Sequence, residues 1–209
     1  MPLIVVNSDT CAPADLAPAV EWLRTGGLVA FPTDTWYALG IDPESSAAVK
    51  RLIELKGRLE GSALPFVAAS RAQVEAFCGV MDDATGRLAS RFWPGPLSVV
   101  LDAPASVDPA VHGGLASIAI RVPRHRVART LAAAFGRPLT STSANRHGQA
   151  PVRRAADLDP AIAGHVLVVD GGSTPGGMPS TIVDARARPP RLLREGAVPW
   201  NRVLESLKA

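Results

Sequence analysis

Apolar positions along this chain fall into short runs too brief for helices, separated by stretches in which they recur at helical spacing. Short apolar runs bounded by turn residues read as strands. Here they are LIVV at 3–6, GLVAF at 27–31, ALPFVAA at 63–69, LSVVL at 97–101, SIAIRV at 117–122, PLTST at 138–142, HVLVVD at 165–170, STIVD at 180–184 and RLLR at 191–194. The first is expected to be a buried strand. Leu16, Val20 and Leu23 lie on one helical face, with Gly26-Gly27 as a stop signal. Val49, Leu52 and Ile53 mark a helix over 45–55, and further helices are expected at 73–77, 84–92, 127–135 and 198–207. Strands and helices alternate irregularly, with several strand-to-strand steps. That order predicts an α/β fold with a mixed sheet flanked by helices. No boundary divides the chain, so one domain over 1–209 is expected. GGSTPGGMPS at 171–180 is the one linker-like stretch.

Composition narrows the classes. Hydrophobic residues make up 47% of the chain and charged ones 20%, enough to bury a core and too apolar for disorder. Aromatics are 5%, so the core must be aliphatic. No apolar run is long enough to span a bilayer, and the first residues lack the basic-then-apolar order of a signal peptide. Cys11 and Cys78 share no metal or redox spacing, which suits free thiols in a reducing cytoplasm.

Net charge is only +3, but the 22 basic residues are nearly all arginine, Lys50, Lys56 and Lys208 being the lysines. Codon bias accounts for such a composition. So does phosphate handling, because guanidinium pairs with phosphate in bidentate fashion. Placement matters more than the sum, and several polar clusters stand at strand or helix ends. Pro32-Thr33-Asp34-Thr35 follows a strand and reads either as a capped turn or as a polar wall at a sheet end. Lys56-Gly57-Arg58 puts two cations at a helix end. They complement the helix dipole, or the glycine turns the backbone so that both converge on one anion such as a polyphosphate.

Ser117 and Arg121 share a strand face opposite Ile118 and Ile120. An arginine among apolar strand positions needs an ion partner or an anionic ligand. Thr140 to Asn145 (TSTSAN) packs more hydroxyl and amide groups than a turn requires, which favours a polar binding shelf. Phe92 to Pro96 (FWPGP) reads as a rigid structural turn. Gly176-Gly177 ahead of Ser180 would let backbone amides approach an anion, and Arg194 near Gly196 ends a strand. There is no Walker lysine pattern, no GxGxxG after a strand and no GxSxG elbow. His147 and His165 fall in polar loops and read as solvated. No HExxH or paired CxxC suggests zinc.

The order of the motifs is more specific than any one of them. AFPTDTWYALG, KGR, FWPGPLSVVL, IAIRVP, LTSTSAN, STIVD and RLLREG, from about Gly27 to Gly196, resemble the threonylcarbamoyl-AMP synthase (TsaC/YrdC) family. The resemblance implies a single YrdC-like domain with a twisted mixed β-sheet and a basic concave cleft, and no separate C-terminal domain. It implies synthesis of threonylcarbamoyl-adenylate and pyrophosphate from L-threonine, bicarbonate and ATP, with Mg²⁺ bridging the phosphates and no protein side chain holding the metal. The partners it implies are the proteins that pass the threonylcarbamoyl group to tRNA adenosine, with tRNA or double-stranded RNA as a further contact on the basic cleft.

Carried over residue by residue, Lys56, Arg58, Ser143 and Asn145 would form the catalytic, phosphate-facing set. Ser62, Ser117, Ser180 and Arg194 would join them on ATP, and Thr35, Arg121 and Ser141 would hold threonine. Three positions depart from the family pattern: Leu59 stands where proline is usual after KGR, Ser62 where a longer polar residue is common, and Val67-Ala68 where some members carry histidine. An RNA-binding relative without adenylation, or a carbamoyl-transfer module, would share the fold. The intact SAN at 143–145 favours the synthase over the former, and the short chain favours it over the latter.

Overall fold

A computed structural model describes residues 2–57 and 63–208. In chain order the strands are β1 (Leu3–Val5), β2 (Leu28–Pro32), β3 (Tyr37–Gly40), β4 (Pro65–Val67), β5 (Leu97–Asp102), β6 (Ser117–Arg121), β7 (Leu139–Thr140), β8 (Thr142–Ser143), β9 (Val166–Asp170), β10 (Thr181–Asp184) and β11 (Arg191–Arg194). The helices are α1 (Ala17–Arg24), α2 (Ser46–Lys56), α3 (Arg71–Cys78), α4 (Asp83–Phe92), α5 (Pro109–His112), α6 (Arg126–Phe135), α7 (Pro160–Ala163) and α8 (Trp200–Lys208). The mixed α/β class holds, but the strands divide between two sheets. One runs β1-β9-β2-β3-β8 and the other β11-β10-β5-β6-β4-β7.

The division happens inside one apolar run. PLTST does not make a single strand: β7 pairs antiparallel with β4 in the second sheet, and β8 pairs antiparallel with β3 in the first. Ser141 is the residue between them, with its N–H on the Pro65 carbonyl at 2.7 Å. Thr140 then turns its hydroxyl to accept from the Ile41 N–H at 3.1 Å, tying β7 to the end of β3. One chain segment thus stitches the two sheets together, and its polar side chains lie where the sheets meet.

β2 explains why the first sheet is covered on both faces. Alternation sends Leu28 and Ala30 into the larger apolar cluster, with α2 and α4, and Val29 and Phe31 into the smaller one, with α1 and α6. β1, expected to be buried, is instead an edge strand: Leu3 is 49% and Val5 74% exposed. With a neighbour on one side only, it packs Ile4 against the α1–α6 cluster and turns its alternate residues outward.

The segment after β2 is a hairpin, not a loop. Tyr37 to Gly40 returns antiparallel to β2, with Pro32 opposite Tyr37. Thr33 builds the turn. Its hydroxyl accepts from the N–H of Thr35 and of Trp36, at 3.2 and 3.3 Å, and donates to the Trp36 carbonyl at 2.7 Å. The capped-turn reading is therefore correct as local structure, and the same turn projects Asp34 and Thr35 from the end of the sheet. Residues 171–180, the linker-like stretch, are pinned. Thr174 N–H bonds the Arg153 carbonyl at 2.9 Å and Gly176 N–H the Thr35 carbonyl at 2.7 Å, while Trp36 Nε1 donates to the Gly177 carbonyl at 3.2 Å. The glycines let this strap lie against the hairpin.

Candidate active site

A cavity of about 660 Å³ opens between the sheets. Every described side chain that the family resemblance assigns to the site lines it: Thr35, Lys56, Ser117, Arg121, Ser141, Ser143, Asn145, Ser180 and Arg194, whereas Asp34 of the PTDT turn and Thr140 of TSTSAN do not. Arg58 and Ser62 lie outside the described residues. The described lining includes Lys56, Arg121 and Arg194 and no aspartate or glutamate. Its hydroxyls and cations suit a ligand with oxygens and negative charge. Among the described residues no group of three His, Cys, Asp or Glu side chains comes together to hold a metal ion.

At one end Arg121, the last residue of β6, is 6% exposed. Its Nη2 stands 3.1 Å from Asp34 Oδ1, and both side chains are almost wholly buried. The approach is an ion-pair contact, not an in-line hydrogen bond, since that oxygen has no hydrogen-bond partner. Nη2 also reaches Thr33 Oγ1, at 3.5 Å. Nη1 is buried and has no hydrogen-bond partner. Burial pushes the guanidinium pKa down and Asp34 pulls it back up. A buried donor without a partner costs about 1–3 kcal/mol. Arg121 itself lines the polar cavity, so a ligand oxygen that reached the guanidinium would satisfy this donor.

At the other end Lys56 closes α2. Gly57 caps the helix in the left-handed conformation, φ 59°, which a side chain would disfavour. Lys56 is only 5% exposed, and its Nζ donates to the carbonyls of Ser143 and Asn145 at 2.6 and 2.8 Å. The lysine therefore grips the main chain of the SAN segment as well as facing the cavity. Asn145 Nδ2 donates to the carbonyls of Arg146 and Gln149, at 3.0 and 2.6 Å, closing the loop on itself. Its Oδ1 is buried without a partner, an acceptor left over beside the cavity.

The third cation, Arg194, is fixed along its edge. Nε and Nη2 donate to the Ser180 carbonyl at 3.0 and 2.8 Å, and Nη2 also to Ser180 Oγ at 2.8 Å. Ser180 in turn shares a hydrogen bond with Ser98, 3.1 Å away. Gly196 makes this contact sterically feasible, because a Cβ there would lie 2.3 Å from the Pro179 carbonyl oxygen. Burial lowers the Arg194 pKa, and the charge of Arg121 lowers it further, so the two guanidinium groups feel each other.

Some lining residues escaped sequence reasoning. His147, read as solvated, is on the cavity wall, its backbone N–H on the Lys56 carbonyl at 2.9 Å. Leu115 and Leu193 line the same cavity while 66% and 57% exposed, which gives its mouth an apolar rim. Single exposed leucines carry no sequence signal. For His147 the signal was its place two residues after Asn145.

Comparison with known proteins agrees with this geometry. Residues 21–196 match the Sua5/YciO/YrdC family, whose description is telomere recombination. A protein of Thiobacillus denitrificans named threonylcarbamoyl-AMP synthase is 38% identical over 163 residues, which cover 78% of this chain and 87% of that one. A protein of the same name from Pyrococcus abyssi is 38% identical over 88% of this chain, and the match spans 55% of the longer relative. The structure of P. abyssi Sua5 complexed with L-threonine superposes with a TM-score of 0.89 at 34% identity, over 99% of this chain and 61% of that one. Escherichia coli YciO, at 24% identity and a TM-score of 0.79, shares the fold. With the family matched over most of its length, the chain belongs to the Sua5/YciO/YrdC family.

Proposed function

We propose that this chain is a threonylcarbamoyl-AMP synthase, a nucleotidyltransferase that makes threonylcarbamoyl-adenylate and pyrophosphate from L-threonine, bicarbonate and ATP. The observation that carries the reading is the buried, unsatisfied Nη1 of Arg121 on the wall of the cavity. Arg121 thus keeps one N–H to spare for a carboxylate that reaches it, and L-threonine is the named ligand of the P. abyssi relative. Names at 38% identity over most of the chain support the same activity.

In this reading Arg121 takes the threonine carboxylate, with Thr35 and Ser141 on its polar groups. Lys56, Arg58, Ser143 and Asn145 face the triphosphate, joined by Ser62, Ser117, Ser180 and Arg194 on the rest of the nucleotide. Bicarbonate takes up a proton and loses water to give carbon dioxide, which the threonine amine captures with release of a proton, leaving no net change in protons and an N-carboxylate. One of its oxygens attacks the α-phosphorus, the bond to the bridging oxygen breaks, and pyrophosphate leaves with that electron pair. No covalent enzyme intermediate is needed. Holding two anionic reactants in line and neutralising the departing charge supply the acceleration.

Mg²⁺ belongs to the substrate here. The described cavity lining lacks carboxylates, so the ion would ride on the phosphates of ATP. A basic cleft, a cytoplasmic setting and hand-over to tRNA-modifying partners complete the proposal. No helix of the described residues is long and apolar enough to cross a membrane. The test is pyrophosphate release from ATP with L-threonine and bicarbonate, each omitted in turn. Release should need both, and undiminished release without threonine would sink the proposal.

A further inference from the structure

Thr181 stands first on β10, wholly buried beside Ser180 and outside the cavity lining. Its hydroxyl makes two hydrogen bonds with one distant residue: it donates to the Val198 carbonyl at 2.7 Å and accepts from the Val198 N–H at 3.0 Å. Val198 is itself buried, so loss of the hydroxyl would leave two peptide groups short of a partner. The Ser180–Thr181 peptide is held on both sides. Its carbonyl takes Arg194 Nε and Nη2 at 3.0 and 2.8 Å, and its N–H donates to the Pro96 carbonyl at 3.0 Å. Gly196 lies against the same peptide, since a Cβ there would be 2.6 Å from both Ser180 C and Thr181 N. Ala197 N–H donates to the Pro179 carbonyl at 2.9 Å. The chain after β11 thus crosses back over the start of β10, and Thr181 is the side chain that ties the crossing down. Burial and the like charge of Arg121 both press on the Arg194 guanidinium, so the firmness of its mount on the Ser180 carbonyl matters.

We infer that Thr181 is a positioning residue: by latching Val198 it sets the Ser180 carbonyl against Arg194, and so presents the guanidinium to ATP. The inference rests on the proposed function in giving Arg194 to the nucleotide. Thr181 touches no ligand in this reading and acts through the Ser180–Arg194 contact. That separates it from a core threonine that serves stability alone, and it makes the effect specific to one substrate.

The test joins nuclear magnetic resonance of arginine side chains to calorimetric titration with Mg²⁺-ATP and with L-threonine. The proteins are the wild type, Thr181→Val, Thr181→Ser, Arg194→Met and Thr181→Val/Arg194→Met. Thr181→Val keeps the shape and removes the hydroxyl. The Arg194 Nε–H should then lose its protection from solvent exchange. ATP affinity should fall about fivefold, the scale of one neutral hydrogen bond, with threonine affinity unchanged. Thr181→Ser keeps the hydroxyl and should retain both properties. On top of Arg194→Met, Thr181→Val should cost no further ATP affinity, because the residue it acts through is gone. A lower melting midpoint with Arg194 still protected and ATP affinity intact would make Thr181 purely structural and overturn the inference. Thr181→Ser behaving as Thr181→Val, an equal loss of threonine affinity, or the same ATP loss with and without Arg194 would also overturn it. Should Thr181→Val not fold, Thr181→Cys is set against Thr181→Ser, because a thiol is a weak donor and acceptor and must show the same two losses. A wild type that binds no ATP would instead strike the proposed function, while the protection of the Arg194 Nε–H still decides the positioning.

Discussion

The two ends of the cavity use a buried cation in opposite ways. Arg121 is paired from behind with Asp34 and leaves one nitrogen without a partner. Lys56 spends hydrogen bonds on two main-chain carbonyls, of Ser143 and Asn145. The Arg121 end is preorganised by an ion pair. At the Lys56 end the cation and the loop are one assembly, so whatever draws the ammonium toward a ligand also pulls on residues 143–145. A buried charge needs compensation from something. A carboxylate contributes to it at the Arg121 end and two peptide carbonyls contribute at the Lys56 end, which predicts that mutations at the two ends fail differently.

The largest effect should come from breaking the Arg121 end. Arg121→Met removes the carboxylate donor and also strands the Asp34 charge, and losing one partner of a buried pair costs about 3–5 kcal/mol. Activity should vanish and the denaturant midpoint should fall with it. Arg121→Met/Asp34→Leu should recover most of the stability and none of the activity, because hydrophobic replacement of both partners is often neutral. Equal stability of the single and double mutants would mean that the pair is not a coupled unit.

Lys56→Met should be milder in stability and broader in its local effect. It leaves two carbonyls short of a donor, at about 1–3 kcal/mol for a buried group. Global unfolding should shift modestly, while amide exchange across 143–149 accelerates, since His147 N–H and the Asn145 contacts hang on the same turn. ATP-dependent turnover should fall at least a hundredfold. An exchange pattern identical to wild type would deny that Lys56 fastens this loop.

How much of this was legible beforehand follows the range of each interaction. Local period and turn chemistry located most elements, including α2 with its glycine cap and β6 with Ser117 and Arg121 on one face. The hairpin strand β3 was missed, because aromatic and glycine residues in YALG lack a clean alternation and β2 supplies the pairing. The switch at Ser141 was invisible, since continuous apolar and hydroxyl residues give no sign that one run serves two sheets. β1 was read as buried because hydrophobicity alone does not tell an edge from a centre. In the site, the motif residues were legible as types. Their partners were not: Asp34 read as a turn former, yet its ion pair is with a residue far along the chain. Lys56 read as a helix-end cation that complements the dipole or faces a phosphate, and its grip on carbonyls far from it in sequence was not foreseen. Such contacts exist only once the sheets have met.

The smallest effect should fall on the third cation, which resembles neither end. Arg194 keeps two hydrogen bonds to the Ser180 main-chain carbonyl whatever side chain stands at 180. Ser180→Ala removes only the hydroxyl, with its links to Arg194 Nη2 and to Ser98. A hydrogen bond of this kind contributes about 0.5–1.5 kcal/mol net. Stability should drop by about 1 kcal/mol and the KM for ATP should rise a few-fold, with the KM for threonine unchanged. If the threonine KM rises instead, the Arg194 guanidinium, close enough to feel the charge of Arg121, serves the Arg121 end of the cavity and not the nucleotide.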